Sequence, residues 1–389
     1  MQRRSTRNAQ GGGSIRKRPD GRWEARFTLG RDPGTGKQVQ KSVYGQTQAE
    51  VRKKLAAATA AVDEDTYIEP SRLTFGQWLD IWTKEYNGSV KERTRQLYEG
   101  VVKNRIKPGL GAALLCQLDP ITMQRYYNDL LKDGLSAKSV RNIHGIIHKA
   151  LEQAVKLEYI TRNPADGCEL PRVEKKEINP FEADALSAFL QAIRDDPFER
   201  LFLTALYTGV REGEVLGLPW DAVDFDAGTI RVYQQMALMK NSQGDYERRI
   251  TDPKNGKPRI FTVAPSVMDI LREQRAEQNQ WRLIAGPAWE NTGLVFTTQL
   301  GGMLPRNTVY EHFRIAAAAA GMPDARFHDL RHTFAVVSLE SGVSVKTLQE
   351  ALGHATAAFT LDIYGHVSQR MQQDSARKME AFIQRMAKK

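Results

Sequence analysis

Residues 327–364 read FHDLRHTFAVVSLESGVSVKTLQEALGHATAAFTLDIY. They hold two histidines, an arginine and a phenol at intervals that helices can gather. His328 and Arg331 lie about one helical turn apart, so both project from one face. His354 follows in a Leu-Gly-His step, and Tyr364 comes ten residues later. Arg211, in TGVREGE, can complete the set. These groups suit attack on a phosphodiester. Negative charge builds on the equatorial oxygens during attack, and the planar multi-donor fork of arginine stabilises it better than lysine. A tyrosine titrating near about pH 10 is a poor nucleophile at neutral pH, so it needs a base or cationic surroundings. His328 and His354 supply neutral imidazoles for that role, or donors to the phosphate.

The remaining groups follow from the same chemistry. Arg211 comes after Tyr207-Thr208-Gly209 at a turn that opens the helix REGEVLGL, where anions are favoured. Glu214, three residues on, can orient Arg211. A leaving 5′ oxygen needs a proton. The segment TDPKNGKPR is expected to be a hairpin between strands including Arg248 to Ile250 and Arg259 to Val263. Lys254 at its tip is the expected general acid, with Lys257 in reserve. His332 and His366 are expected to serve packing and a turn. Taken singly these signals are weak, because a lone tyrosine is more often a buried core residue. The constellation carries the argument.

Composition agrees. The 389-residue chain is 41% hydrophobic and 26% charged, enough for two or three domains with real cores. Its formal charge of +10 points to a polyanion, nucleic acid before membrane surface. Two cysteines, Cys116 and Cys168, lack metal-ligand spacing and suggest a reduced, cytoplasmic setting. No phosphate-binding loop, HExxH, CxxC pair, calcium loop or GxSxG elbow occurs, so no ATP, metal or other cofactor is expected. No apolar run approaches a membrane span.

The elements that must position these residues can be read in order. From Met1 to Lys54 there are 14 Lys and Arg against 4 Asp and Glu, a surplus equal to that of the whole chain. A basic Gly-rich arm precedes three short strands separated by the turn signals Pro19-Asp20-Gly21 and Asp32 to Gly36. A helix from about Thr47 to Val62 closes this unit. Arg16, Arg18, Arg22, Arg26, Lys37 and Lys41, with Trp23 among them, are expected to meet nucleic acid. The competing reading is a solvated basic face. Next come a helix capped by Thr74 that carries Phe75, Trp78, Leu79 and Trp82 on one apolar face, and helices of about residues 91–106, 122–132 and 136–157. The last carries a basic face with Lys138, Arg141, His148 and Lys149. Asn163-Pro164 ends the bundle. A charged stretch, 166–180, reads as a linker. Helices at 182–194 and 198–207, a strand-rich middle at 223–263, and helices at 265–281 and 307–320 precede the opening stretch. An amphipathic helix at about 369–386 follows it.

TGVREGEVLGLPW, HDLRHTFA, and LGH with a tyrosine ten residues on in LDIYGH closely resemble the tyrosine recombinases, or phage-type integrases. The N-terminal GSIRKRPDGRWEARFTLGRDPGTGKQVQKSVYG resembles the arm-site domain of integrases from conjugative transposons and related Gram-positive prophages. The resemblance implies a multidomain α+β fold in five parts. They are a three-stranded sheet with one helix (1–66), an all-α core-binding domain (72–165), a linker (166–180), a mainly α catalytic domain with a small antiparallel sheet (181–368), and a C-terminal helix (369–389) docking on a neighbour. Arg211 and Arg331 would bind the scissile phosphate. Lys254 would be the acid, and His328 and His354 the two active-site histidines. Glu214 would support the first arginine, and Tyr364 would form a 3′-phosphotyrosyl link. The implied partners are double-stranded DNA at core and arm sites, three further copies of the chain, and an accessory DNA-bending or excision factor. A chromosomal dimer resolvase, a type IB topoisomerase and an inactive DNA-binding regulator are the alternatives.

Overall fold

Alternation along WEARFTLG builds a strand with one apolar and one polar face. In a computed structural model that describes residues 14–31, 35–63, 73–174, 178–253, 256–353 and a few positions between 356 and 386, it becomes the middle of a sheet. Strand β1 (Ser14–Lys17) pairs antiparallel with β2 (Trp23–Arg31), which pairs antiparallel with β3 (Gln38–Gly45). Helix α1 (Gln48–Asp63) covers one face, packing Val51, Leu55 and Ala58 on Ala25 and Phe27. The register sorts the expected contact residues. Trp23 packs into this apolar layer, and Lys41 sits opposite buried Phe27. Both therefore lie on the helix-covered side. Arg16, Glu24, Arg26 and Ser42 share the open side, because cross-strand partners point the same way.

The chain divides into two units, Met1–Glu174 and Lys175–Lys389, so the break falls within the charged stretch expected to be a linker. The helical part of the first unit starts at α2 (Phe75–Glu85). Thr74 Oγ1 accepts from the Gln77 N–H at 3.2 Å, and Gln77 Oε1 accepts from the Thr74 N–H at 2.9 Å, a reciprocal cap. Phe75, Trp78, Leu79 and Trp82 are buried on one face. Helix α3 (Glu92–Val101) runs through a π turn, Val102–Ile106, into the short α4 (Lys107–Leu110). Periodicity at this place suggested one plain helix. The wider turn leaves the Arg105 carbonyl able to accept the Tyr126 hydroxyl at 3.0 Å. Helices α5 (Pro120–Lys132) and α6 (Ala137–Lys156) are capped by Asp119 and Ser136. Trp78 Nε1 donates to the Ala150 carbonyl at 2.8 Å and ties α2 to α6.

The second unit begins with α7 (Ala183–Ala192), α8 (Glu199–Thr208) and the five-residue α9 (Glu212–Leu216). Five strands follow: β4 (Val223–Asp224), β5 (Thr229–Val232), β6 (Gln235–Lys240), β7 (Tyr246–Thr251) and β8 (Arg259–Thr262). They form two small antiparallel sheets, β4-β5-β8 and β6-β7. This corrects the hairpin expected around TDPKNGKPR. Strand β7 pairs with β6, not β8, because the turn Asn241–Asp245, with Gly244 at φ +93°, closes a local hairpin. Strand β8 joins β5, so the segment between β7 and β8 links two sheets.

Helices α10 (Pro265–Ala285), α11 (Arg306–Ala319), α12 (Phe327–Glu340) and α13 (Val345–Leu352) complete the described elements. Phe189, Phe202, Phe313 and Phe327 are buried together, with ring centroids 5.6 to 6.3 Å apart in neighbouring pairs. This aromatic core holds the N-terminus of α12, and thus His328, against α8. No helix among the described residues is long and apolar enough to cross a membrane.

Candidate active site

The site is built at the end of α8. Gly209 closes that helix in the left-handed conformation, φ +63°. A Cβ there would lie 2.4 Å from Phe334 Cδ1 and 2.9 Å from Leu352 Cδ2, so only glycine fits. The turn sets Arg211 in extended backbone at the start of α9, one turn ahead of buried Glu214. The Arg211 N–H donates to Glu214 Oε2 at 2.9 Å, and its Nη1 donates to Oε1 at 2.7 Å. Glu212, between them in sequence, instead pairs with Arg306.

Helix α12 supplies the second group. Asp329 accepts from the Arg326 N–H at 2.8 Å and fixes its first turn. Arg331 is only 2% exposed. Its Nη1 donates to the Gly209 carbonyl and its Nη2 to the Leu352 carbonyl, each at 2.7 Å. Arg331 therefore ties the α8–α9 turn to the end of α13, using a helix-end carbonyl that has no partner within its own helix. His328 is exposed to solvent. Loss of water around the ring, then the neighbouring His332, Arg331 and Arg211, push its imidazole down to about 4. It is neutral at pH 7. His332, expected to serve packing, is buried edge-on against His328 with centroids 4.8 Å apart.

One residue of the cluster carried no motif. Arg259, on β8, donates Nη1 and Nη2 to the two Glu214 oxygens at 3.0 and 2.6 Å, and Nε to the Ala351 carbonyl at 2.8 Å. Burial alone would raise the Glu214 carboxyl. The Arg259 hydrogen bonds and the charges of Arg259 and Arg211 outweigh it and hold Glu214 at about 2. The only sequence signal was a third arginine near a turn, KPR, which is not specific.

Arg211, Glu214, His328 and Arg331 are thus brought together from segments more than a hundred residues apart. Lys254, His354 and Tyr364 lie outside the described residues, as does most of the expected C-terminal helix. Lys257 is exposed, in the segment that joins β7 to β8.

The other expected contacts divide by element. On the open face of the first sheet, Arg16 and Arg26 converge on Glu24, whose carboxyl also accepts the Ser42 hydroxyl at 2.9 Å. Tyr44 sits across from Glu24, with the Arg18 guanidinium 5.4 Å from its ring centroid. Arg22 lies on the β1–β2 turn beside Asp20. On α6, Lys138 and Arg141 are exposed and unpaired among the described residues. Lys149 is held by Tyr98, and His148 by Asp166 at 2.7 Å.

Comparison with known proteins gives this arrangement a context. Residues 176–371 match the model of the "Phage integrase family", and residues 74–131 that of "Phage integrase, N-terminal SAM-like domain". A "Tyrosine recombinase XerC-like" protein of Caldanaerobacter subterraneus subsp. tengcongensis is 30% identical over 87% of this chain and 91% of its own. The ICEBs1 integrase of Bacillus subtilis is 22% identical over 95% of this chain and all of its own. Among solved structures, the Tn1549 transposon integrase in complex with transposon right end DNA aligns with a TM-score of 0.65. It is 20% identical over 78% of this chain and 99% of that one. A lambda integrase tetramer bound to a Holliday junction aligns with a TM-score of 0.56, at 20% identity over 90% of this chain and 97% of that one. At these identities the structural likeness is one of fold.

Proposed function

Because this chain belongs to the phage integrase family of tyrosine recombinases, enzymes that cleave and rejoin DNA, we propose that it integrates and excises a mobile element by site-specific strand exchange. The observation that carries the reading is the gathering of Arg211, neutral His328 and Arg331 around the Gly209 turn. Two guanidiniums at one site bind a phosphate, and a neutral imidazole beside them can donate to it or accept a proton.

In this reading Arg211 and Arg331 hold the scissile phosphate, and Glu214 orients Arg211. The Tyr364 hydroxyl loses its proton to a neutral imidazole, His328 or His354, and attacks phosphorus. The bond to the 5′ oxygen breaks, and that oxygen takes a proton from Lys254, with Lys257 in reserve. The 3′-phosphotyrosyl link retains the bond energy, so the released 5′ hydroxyl of a partner strand can reseal it.

The DNA would meet the rest of the chain in two ways. Lys138 and Arg141 would contact core-site phosphates. The sheet of domain 1–66 would use Arg16, Arg18, Arg22 and Arg26 at arm sites, with Trp23 and Lys41 supporting from the helix side. Four copies of the chain would act on two sites in the bacterial cytoplasm, a number matched by the lambda integrase tetramer bound to a Holliday junction. The helix of 369–389 would dock on a neighbour, and an accessory DNA-bending factor would assist. A chromosomal dimer resolvase has less support, since such a minimal enzyme needs no arm-site reader.

Incubation with nicked suicide sites should give a denaturation-resistant protein–DNA adduct. Tyr364→Phe should lose the adduct while still binding DNA. Normal cleavage by that variant would remove Tyr364 from its role. Deleting residues 1–63 should abolish arm-site binding and spare core-site cleavage. Unchanged arm binding would refute the arm assignment.

A further inference from the structure

Arg259 joins three segments that carry the proposed chemistry. It grips both oxygens of Glu214, the carboxylate that orients Arg211. It bonds the Ala351 carbonyl and packs beside Gly353, the residue before His354 in sequence. A Cβ on Gly353 would lie 3.0 Å from Arg259 Cδ. It also stands on β8, two residues after Lys257. Phe261 supports the guanidinium from below, 5.8 Å from ring centroid to Cζ.

We infer that Arg259 is a positioning residue for strand cleavage, holding and neutralising Glu214 so that the Arg211 charge remains available to the DNA phosphate. The inference rests on the recombinase reading above. Glu214 is fully buried, so its negative charge must be matched nearby. With Arg211 as its sole cation the pair would be neutral, and a phosphate would have to compete with the carboxylate for the same guanidinium. With Arg259 added, the group of three carries a net positive charge. The fork of Arg259 also fixes the carboxylate plane, and that plane aims Arg211 Nη1. The third bond, to Ala351, sets the end of α13 just ahead of the turn that leads to His354. A lysine at this position could not serve both oxygens and the carbonyl, because its ammonium is one point on a flexible stem.

The test is single-turnover cleavage of a suicide core site by the full chain, with DNA affinity and thermal melting measured beside it. Arg259→Lys should bind the site nearly as wild type and cleave about 100-fold more slowly, the low end of the cost of losing one preorganised donor. Arg259→Ala should be slower still. Adding Glu214→Gln to either variant should recover about tenfold, because the amide keeps a carbonyl oxygen for Arg211 to donate to and removes the charge that competes with the phosphate for it. The lysine pair reads the same effect if the alanine variant does not fold. A structural role alone would not yield that rescue. Wild-type cleavage by Arg259→Lys, or losses that simply multiply in the double variants, would overturn the inference. Absence of any adduct from the wild-type protein would overturn the recombinase reading itself, and this inference with it.

Discussion

Two glutamates in this molecule are each held by two arginines, in opposite settings. Glu24 lies on the open face of a sheet, and the Arg16 and Arg26 side chains that cover it are 59% and 46% exposed. Glu214 lies at the candidate active site, and its partners Arg211 and Arg259 are 20% and 10% exposed. Both carboxyls are held at about 2. For Glu24 the Arg16 hydrogen bond is the main cause, whereas for Glu214 the arginines must first overcome burial. The difference lies in what surrounds the charges. Around Glu24 the cover is the arginines themselves, with water just beyond, so salt and solvent screen the pairs. Around Glu214 the protein encloses all the partners, and removing any one leaves a charge with little water to compensate it. The sheet cluster can rearrange for a partner at small cost. The active-site cluster is preorganised, which is what stabilising a developing charge requires.

The comparison can be broken most sharply at Glu214. Glu214→Ala leaves two buried guanidiniums facing each other. Stability should fall by on the order of 3 kcal/mol, read by urea unfolding, and suicide-site cleavage should fall by about 100-fold or more. A variant as stable as wild type would mean that the enclosure around Glu214 confers no energetic advantage over the sheet.

An acid titration should separate the two regions next. His328 titrates at about 4 in the folded chain against an ordinary 6.5. Its folded value is depressed, so the unfolded chain takes up the proton first. The stability it contributes is intact above 6.5 and is lost as pH falls toward 4. His332 is shifted in the same direction by burial. The first sheet has no histidine between residues 14 and 63, and Glu24 holds its charge far lower. Hydrogen exchange from pH 7 to 5 should therefore show α12 losing protection while β2 keeps it, and His328→Asn should reduce the loss. Equal loss in both regions would defeat the distinction.

The smallest effect is expected at Glu24. Glu24→Gln removes one negative charge and releases Arg16 and Arg26. DNA affinity at low salt should rise by about two- to fivefold, with a slightly steeper salt dependence, in an anisotropy titration against KCl. Stability should hardly move. Weaker binding would show that Glu24 aims its arginines as Glu214 does.

Much of this was legible in the chain. The cap and apolar face of α2, the stops at Asn163-Pro164 and at Gly209, and the His328–Arg331 spacing are local signals, set by residues within a turn or two of each other. TGVREGE also announced the Arg211–Glu214 pair, because a carboxylate at the third position reaches back to the start of its own helix. Strand pairing was less legible. Strand β7 follows β6 through the Asn241–Asp245 turn, which carried no reading of its own, and precedes β8 through TDPKNGKPR, which read as a hairpin. Only the closure of β4, β5 and β8 into one sheet decides between the two connections. The side on which Trp23 lies was equally hidden, since alternation shows that two faces exist but not which one α1 covers.

The amino-acid sequence by itself determined which residues could hold a phosphate and which helices would carry them. It did so because charge, capping and periodicity act over short stretches of chain. The tertiary structure decided what holds those residues still. Arg331 bonds the carbonyls of Gly209 and Leu352, and Arg259 bonds Glu214 and the carbonyl of Ala351, across separations of 21 to 122 residues. A backbone carbonyl has no sequence signature, and a guanidinium that seeks one looks like any other basic residue until the fold brings the two together.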